Sequence, residues 1–355
     1  MMRNMNSAFS QPAHELWNMK GTLIKHTYGN NTEPDKPGII FELKDTNALP
    51  IWFATDVHEV VCFKGECRPL NLWVFWNGTG GYLGFDLYRD EQLMKTDHVE
   101  FTQDDYAKLH HLLADTGSIL KNVKKEDLII DTIISNDRVD AYTGPTRPSL
   151  QEALVKNAAY SCYALWHTVY GTIQKKIVKL IEQEVNASYL KSVFDQKDST
   201  YKLWAVHFIK RHPEYDSAFL PEIMELIKNN DENLSVQALN YFEATQLSQP
   251  ATQAKLASMM DVFPEQRQYE LLWKLKRLNK VNDNTIWILL EQFNQGKVKT
   301  PLLGYIYDLI QPENFRDDRI EKTLNGFLSH KNLYIRMLTS QLLNNYKKSL
   351  SSKFN

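Results

Sequence analysis

A period of about 33 residues in the second half is the feature that most constrains how this 355-residue chain can fold. Similar helical segments begin at intervals of 33, 33, 32 and 34 residues, at Asp198, Asp231, Pro264, Gly296 and His330. Each has an apolar residue seven positions after its start, and these residues are Ala205, Ala238, Leu271, Leu303 and Met337. A repeat of this length predicts units that each bury an apolar face against the next unit.

A second set of helices is predicted between these segments, starting near Asp216, Pro250, Asp283 and Asp317. Each unit is therefore a helical hairpin, and the stretch from Asn233 to Leu239 resembles a short, divergent HEAT repeat. We expect an α-solenoid of about five hairpins over residues 172–347, followed by a polar tail at 348–355. Such an array usually binds a protein partner; the alternative is a folded extension that only stabilises the first domain.

The pattern before residue 171 favours strands and predicts an α+β domain over residues 21–171, preceded by a flexible segment at 1–20. Its apolar, β-branched and aromatic runs predict a β-meander with strands at Thr22–His26, Gly38–Lys44, Ile51–Phe53, Glu59–Phe63, Leu70–Trp76 and Tyr82–Leu87. Thr102 and Asp105 have the spacing of a capping box, which predicts a helix from there to about Asp115.

A second helix of this domain is predicted to run without interruption from Ser149 to Gly171, because Pro148 and Ser149 are typical of a helix start. One apolar stripe consists of Leu150, Leu154, Ala158, Cys162, Leu165 and Val169. A second stripe consists of Tyr160, Tyr163, His167 and Tyr170. A helix with two such stripes is buried from two sides, so we expect one stripe on the sheet and the other on the C-terminal half.

The segment before this helix reads Asp140-Ala141-Tyr142-Thr143-Gly144-Pro145-Thr146-Arg147. It resembles the pattern Asp-x-x-Ser/Thr-Gly-Ala-Thr of the FMN-binding domain in the C subunit of sodium-pumping NADH:quinone reductase and the G subunit of Rnf complexes. The resemblance implies FMN joined through a phosphodiester to Thr146 by a separate flavin transferase, with Asp140, Thr143 and Gly144 completing the motif. The flavin would then carry electrons.

The physical setting of Thr146 agrees with a phosphate there, because the unpaired N–H groups of a following helix start attract anions. Arg147 could add a charge-assisted hydrogen bond to the same phosphate. Pro145 departs from the family, which has alanine at this position. Proline removes an N–H and restricts Gly144 to extended geometry, so an ordinary Gly-Pro turn before a helix is the alternative interpretation.

Further landmarks resemble a group of uncharacterised FMN-binding-like proteins, and they extend the resemblance over about residues 50–171. They are Cys62 to Cys67, Tyr82 to Phe85, Asp97-His98, Leu109 to Leu113 and Ala158 to His167. Trp73, Phe75 or Tyr163 could stack on an isoalloxazine ring, although core packing is the commoner role of such residues. His98, His110, His111 and His167 could lie near a cofactor, but adjacent His110 and His111 point to different helix faces.

Two of the three cysteines, Cys62 and Cys67, fit a two-residue hairpin with Lys64-Gly65 at its turn. In that register they form the second pair from the turn, where a cross-strand disulfide is feasible. Two structural thiols or a redox-active pair are the alternatives. No second cluster with ligand spacing lies nearby, so we expect no metal site.

The formal net charge is −2, so no basic excess favours nucleic acid or an anionic membrane as partner. No run of 18 apolar residues occurs, and we expect no membrane span. The start lacks the apolar core of a signal peptide, yet Ala8-Phe9-Ser10-Gln11 is typical of the end of one and favours export.

Three functional interpretations follow. The chain is an electron carrier with flavin on Thr146 and a repeat surface for a redox partner, or a scaffold whose FMN-binding-like domain has lost its cofactor. The third is thiol redox chemistry at Cys62 and Cys67. No nucleophile elbow, P-loop, dinucleotide fingerprint or zinc-protease motif occurs, so no catalytic residue is predicted.

Overall fold

A computed structural model describes residues 13–29, 38–60, 69–95, 98–128, 150 and 152–351. The chain divides into two compact units, Met1–Ser192 and Val193–Asn355. The first unit contains an antiparallel sheet with helices, and the described residues of the second unit form helices and the turns between them. The α+β class predicted from the sequence is therefore confirmed.

The sheet of the first unit has five strands in sequence order, so each strand pairs only with its neighbours along the chain. They are β1 (Thr22–Tyr28), β2 (Gly38–Lys44), β3 (Pro50–Glu59), β4 (Leu70–Asn77) and β5 (Tyr82–Leu87). The predicted meander is confirmed, but the strand expected at Ile51–Phe53 continues to Glu59, while Val61 to Phe63 of the next predicted strand lie outside the described residues. Thr55 pairs with Val74 and Val57 with Leu72, because alternate residues of β3 continue the same apolar face through the gap.

One face of the sheet is covered by helices α1 (Gln103–Ala114) and α2 (Ala159–Val169). The capping box predicted for α1 is present, with Thr102 accepting from the Asp105 backbone and the Asp105 side chain accepting from Thr102. Trp76, the largest fully buried side chain, donates from Nε1 to the Val169 carbonyl oxygen at 2.9 Å and so ties the sheet to α2. Trp76, near the end of β4, is therefore part of the core between the sheet and α2.

Helix α2 is shorter than predicted, since it begins at Ala159 and turns occupy residues 152–158. Asn157 has a φ of 58°, a left-handed conformation that no α-helix can pass through. The residues of the first stripe are nevertheless all buried, as predicted for a face on the core. Two residues of the second stripe contact other parts of the first unit: Tyr170 donates to the Leu113 carbonyl oxygen, and His167 lies 3.2 Å from that of Leu120.

Helix α3 (Thr172–Glu184) belongs to the first unit, although the sequence placed the domain boundary at Gly171. Lys44 of β2 pairs with Glu184 at 2.6 Å, and Gln174 donates to the Gly80 carbonyl oxygen at 2.9 Å. The buried residues of α3 are Ile177 and Ile181. Because α3 packs in the first unit, the boundary between the two units comes 21 residues later than the sequence predicted. Helix α4 (Ala187–Phe194) crosses the division.

The second unit continues with α5 (Ser199–Arg211), α6 (Asp216–Leu226), α7 (Glu232–Tyr241), α8 (Ala244–Leu247), α9 (Pro250–Ser258), α10 (Glu265–Lys276), α11 (Asp283–Asn294), α12 (Leu303–Tyr307), α13 (Asp318–Phe327) and α14 (Leu333–Ser351). The repeat starts Asp198 and Asp231 are the N-caps of α5 and α7, because each side chain accepts a backbone N–H of the first turn. Asp317 caps α13 in the same way.

These helices pack in two rows. Consecutive helices of the first row are in contact, and this row consists of α5, α7, α10, α12 and α14. In the second row α9 contacts α11 and α11 contacts α13, and we include α6 in this row because it joins α5 to α7. Of the five aligned apolar residues, Ala205, Ala238, Leu271 and Leu303 are fully buried.

The last repeat departs from the predicted alignment. Met337 is 62% exposed, whereas Ile335 and Thr339 of α14 are buried, so the fifth alignment is wrong. The reason is that α14 turns a different face to α12, with Thr339 within hydrogen-bond distance of Tyr307 at 2.7 Å. Helix α14 continues to Ser351, into the tail predicted at 348–355, and residues 352–355 lie outside the described part.

Candidate functional site

The predicted flavin site lies outside the described residues, because Asp140, Thr143, Gly144, Thr146 and Arg147 all fall in the segment 129–149. The two described residues that flank this segment are both buried. Leu128 is 0% exposed and Leu150 is 2% exposed. Both residues thus belong to the apolar core of the first unit.

The predicted cysteine pair, Cys62 and Cys67, also lies outside the described residues. The strands on either side of it are described, and they pair His58 with Asn71 and Glu59 with Leu70. This is the same register as that of the predicted hairpin with Lys64-Gly65 at its turn. The pairing of β3 with β4 thus agrees with the register from which the disulfide was predicted.

The third cysteine, Cys162, is a fully buried free thiol on α2. Burial raises the pKa of this thiol to about 12, since a thiolate there would lose its hydration. Thiolate is the reactive form of cysteine, so Cys162 serves the core packing of α2.

The candidate aromatic and histidine residues occupy several separate places. Phe75 is fully buried, while Tyr163 is half-buried with its ring 4.2 Å from that of His167. His110 lies 3.2 Å from the Tyr82 hydroxyl, and His98 and His111 are more exposed. Burial, with a smaller contribution from His111, lowers the pKa of His110. His110 is therefore neutral at pH 7 and joins α1 to the sheet.

Sequence reasoning missed the N-terminal segment, residues 13–18, which packs on the sheet face opposite the helices. Ala13 is fully buried, and the Trp17 ring contacts Trp73 and Phe75 edge-on at 5.1 Å between centroids. The expectation of a flexible start is thus wrong from Ala13 onward. The segment has no apolar periodicity, and its one signal was a tryptophan in a polar stretch.

A buried carboxylate holds this segment in place. Asp86 of β5 is 2% exposed, accepts from Trp17 Nε1 at 2.9 Å and lies 3.4 Å from His14 Nδ1. Burial raises the pKa of Asp86, and the hydrogen bond from Trp17 and the charge of His14 oppose this rise only in part. The folded protein therefore binds this proton more tightly than the unfolded chain does.

Replacement of Asp86 by asparagine is expected to change the pH dependence of stability. Because the pKa of Asp86 is raised in the folded protein, ionisation of this carboxyl lowers the stability of the wild type. The loss grows as the pH rises from the ordinary aspartate pKa of about 3.9 through the raised pKa. Asparagine carries no such penalty and still accepts from Trp17. The stability of wild type relative to Asp86→Asn should fall over this window in denaturant titrations, and parallel curves would disprove the assignment.

The exposed face of the first row is the main candidate surface of the second unit. Large apolar side chains are exposed there: Trp273 is 55% exposed, Tyr305 45%, Tyr334 50% and Met337 62%. Tyr269 of α10 meets Tyr305 of α12 edge-on at 5.3 Å between ring centroids. This contact joins the aromatic side chains of α10 to those of α12.

Within the described residues, no group of three or more His, Cys, Asp or Glu side chains is placed to hold a metal ion. In the same part of the chain, no helix combines the length and the apolarity that crossing a membrane requires. No protein-family model, curated protein or solved structure matches the chain.

Proposed function

We propose that this chain is a binding protein, in which a short HEAT-like solenoid presents the first row of helices to a protein partner. The supporting observation is that ion pairs about one repeat apart link a first-row helix to a turn beside the next first-row helix. Lys210 pairs with Glu243 at 2.5 Å, Lys276 with Asp308 at 2.7 Å, and Glu265 with Lys299. Nearest-neighbour contacts of this kind are the basis of solenoid architecture, and solenoids commonly offer extended binding surfaces.

Exposed aromatic residues add to this proposal. Trp, Tyr and Arg are the residues that most often contribute large shares of binding energy at protein interfaces. Trp273, Tyr305 and Tyr334 are all about half exposed, although such side chains are usually buried in a domain that binds nothing. Contact with a partner would remove this apolar surface from water.

Site-specific photo-crosslinking tests the proposal. The full chain with benzoylphenylalanine at Tyr305 should give one discrete adduct in extracts of its source cells, and excess wild-type chain should compete it away. The same group at Trp287 of α11, in the second row, should not give this adduct. No adduct at Tyr305, or the same adducts from both positions, would disprove binding through the first row.

A second candidate function is electron transfer by FMN joined covalently to Thr146. It is favoured by the sequence motif from Asp140 to Thr146. Bound flavin would supply the redox chemistry, and the protein would supply its position and environment. The first row would then dock the redox partner, whereas without flavin the chain acts as a scaffold alone.

Attachment of flavin is expected to depend on one hydroxyl. Wild type made together with an active flavin transferase should gain the mass of one FMN group and a yellow colour, and Thr146→Ala should gain neither. Thr146→Ser keeps a hydroxyl and should remain modified. An unmodified wild type beside a modified known substrate of the same transferase would rule out the flavin and leave the scaffold.

A further inference from the structure

The two rows of the second unit carry opposite charge. The five first-row helices contain nine basic and three acidic residues. The second-row helices α6, α9, α11 and α13 contain three basic and seven acidic residues. The whole chain is nearly neutral, at −2, so this separation is local to the second unit. These counts are for whole helices, and one of the nine basic residues, Arg267, is buried and paired with Glu232 and Glu270. The remaining basic excess attracts acidic partners and repels basic ones.

Basic and aromatic groups are combined at one point of the first row. The Arg277 guanidinium, directly after α10, lies 4.6 Å from the centre of the Trp273 ring. Arg277 makes no ion pair with any carboxylate in the described part of the chain. Its charge is therefore available to a partner carboxylate, and its planar fork suits two parallel hydrogen bonds.

The second row contains a similar pair with a different charge state. Arg319 of α13 lies 4.8 Å from the ring of Trp287 on α11, but it also pairs with Asp317 at 2.7 Å. Asp317 neutralises this guanidinium, whereas Arg277 is left unneutralised. The two Trp–Arg pairs thus differ mainly in charge: Arg319 already pairs with a carboxylate, whereas Arg277 does not pair with one in the described residues.

We infer that the first row binds an extended, acidic protein segment, with Trp273 and Tyr305 contacting its apolar side chains and Arg277 pairing with its carboxylates. This inference rests on the proposed binding function and names the chemistry of the partner. Aromatic residues next to an unpaired cation are typical centres of binding energy, and charge complementarity makes association depend on salt.

Nucleic acid fits this surface less well than an acidic protein segment. Three lysines, Lys210, Lys276 and Lys299, are already paired with carboxylates of neighbouring first-row helices or turns. These carboxylates, Glu243, Asp308 and Glu265, would repel a phosphate backbone that followed the row. A protein segment can place its few carboxylates selectively, at Arg277 and other unpaired cations.

Fluorescence anisotropy of the full chain tests the inference. The probe is a short fluorescein-labelled peptide in which glutamate alternates with leucine. We expect it to bind at low salt and to weaken as salt rises, while the matching lysine–leucine peptide does not bind. Trp273→Ala with Arg277→Glu should weaken binding by about tenfold or more, as loss of a central aromatic anchor and its cation does.

The control variant is Trp287→Ala with Arg319→Glu, which removes the similar pair on the second row and should change the affinity by less than about twofold. Circular dichroism confirms that both variants fold. Equal loss in both variants, no binding of the acidic peptide, or tighter binding of a single-stranded oligonucleotide through Trp273 would each overturn the inference. Self-association that is lost in the Trp273 and Arg277 variant would overturn it in favour of a second copy.

The proposed binding function and the inferred acidic character of the partner can be disproved independently. A specific adduct at Tyr305 without binding of the acidic peptide would leave partner binding in place and remove only the acidic character of the partner. Absence of both would remove the binding function together with the inference.

Discussion

Replacement of Trp76 by alanine should destabilise the first unit by about 3–5 kcal/mol, the usual cost of deleting a large aromatic side chain from a packed core. Trp76 is fully buried near the end of β4, paired with Phe53 of β3 and with Tyr82 of β5. Its removal also deprives the Val169 carbonyl oxygen of the indole donor, which lies 2.9 Å away. An unpaired buried acceptor adds to the cost of the cavity.

The matched variant Trp76→Phe separates these two effects. Phenylalanine fills most of the space but cannot donate to Val169, so we expect a smaller loss of about 1–3 kcal/mol. Denaturant unfolding, monitored by a spectroscopic signal that reports on the first unit, measures the loss of stability in both variants. If Trp76→Phe costs as much as Trp76→Ala, the hydrogen bond to α2, and not the packed volume, holds the helix on the sheet.

Leu271→Ala is expected to destabilise the second unit by about 2–5 kcal/mol, because Leu271 is fully buried and alanine leaves a cavity between helices. Met337→Ala should change stability by less than about 0.5 kcal/mol, since Met337 is 62% exposed. The sequence period placed these two apolar residues at the same repeat position, but Leu271 is buried and Met337 is exposed. Thermal unfolding by circular dichroism compares them directly, and equal costs would contradict the different orientation of the last helix.

Local sequence patterns predicted a helix or strand well where one pattern alone determines the element. The alternation in Leu70 to Trp76 gave β4 to within one residue, and the Thr102 and Asp105 spacing gave the start of α1. The repeat starts Asp198 and Asp231 came from the period, and the structure shows that both are N-caps.

Prediction failed where tertiary contacts override local pattern. The buried stripe from Leu150 to Val169 has helical spacing, but Asn157 interrupts the helix with a positive φ that spacing alone does not reveal. The packing of residues 13–18 depends on Asp86, which lies 69 positions after Trp17 in the sequence. No local pattern connects such residues.

The candidate surface of the second unit was predictable in part. The 33-residue period predicted a repeat surface for a protein partner, and the first-row helices begin one residue after Asp198 and Asp231. The charge separation was not predicted, since it appears only when alternate helices are grouped by their contacts. The net charge of the whole chain does not reveal this separation, because the basic excess of the first-row helices and the acidic excess of the second-row helices nearly cancel.

Hydroxyl-radical footprinting of the full chain most directly measures whether the first row is the binding surface. Tryptophan, tyrosine and methionine side chains react readily when exposed, and Trp273 and Tyr305 lie on the first row, while Trp287 lies on the second. Saturation with the photo-crosslinking partner should lower the oxidation of Trp273 and Tyr305 and leave that of Trp287 unchanged. Protection of Trp287 with Trp273 and Tyr305 unaffected would contradict binding through the first row.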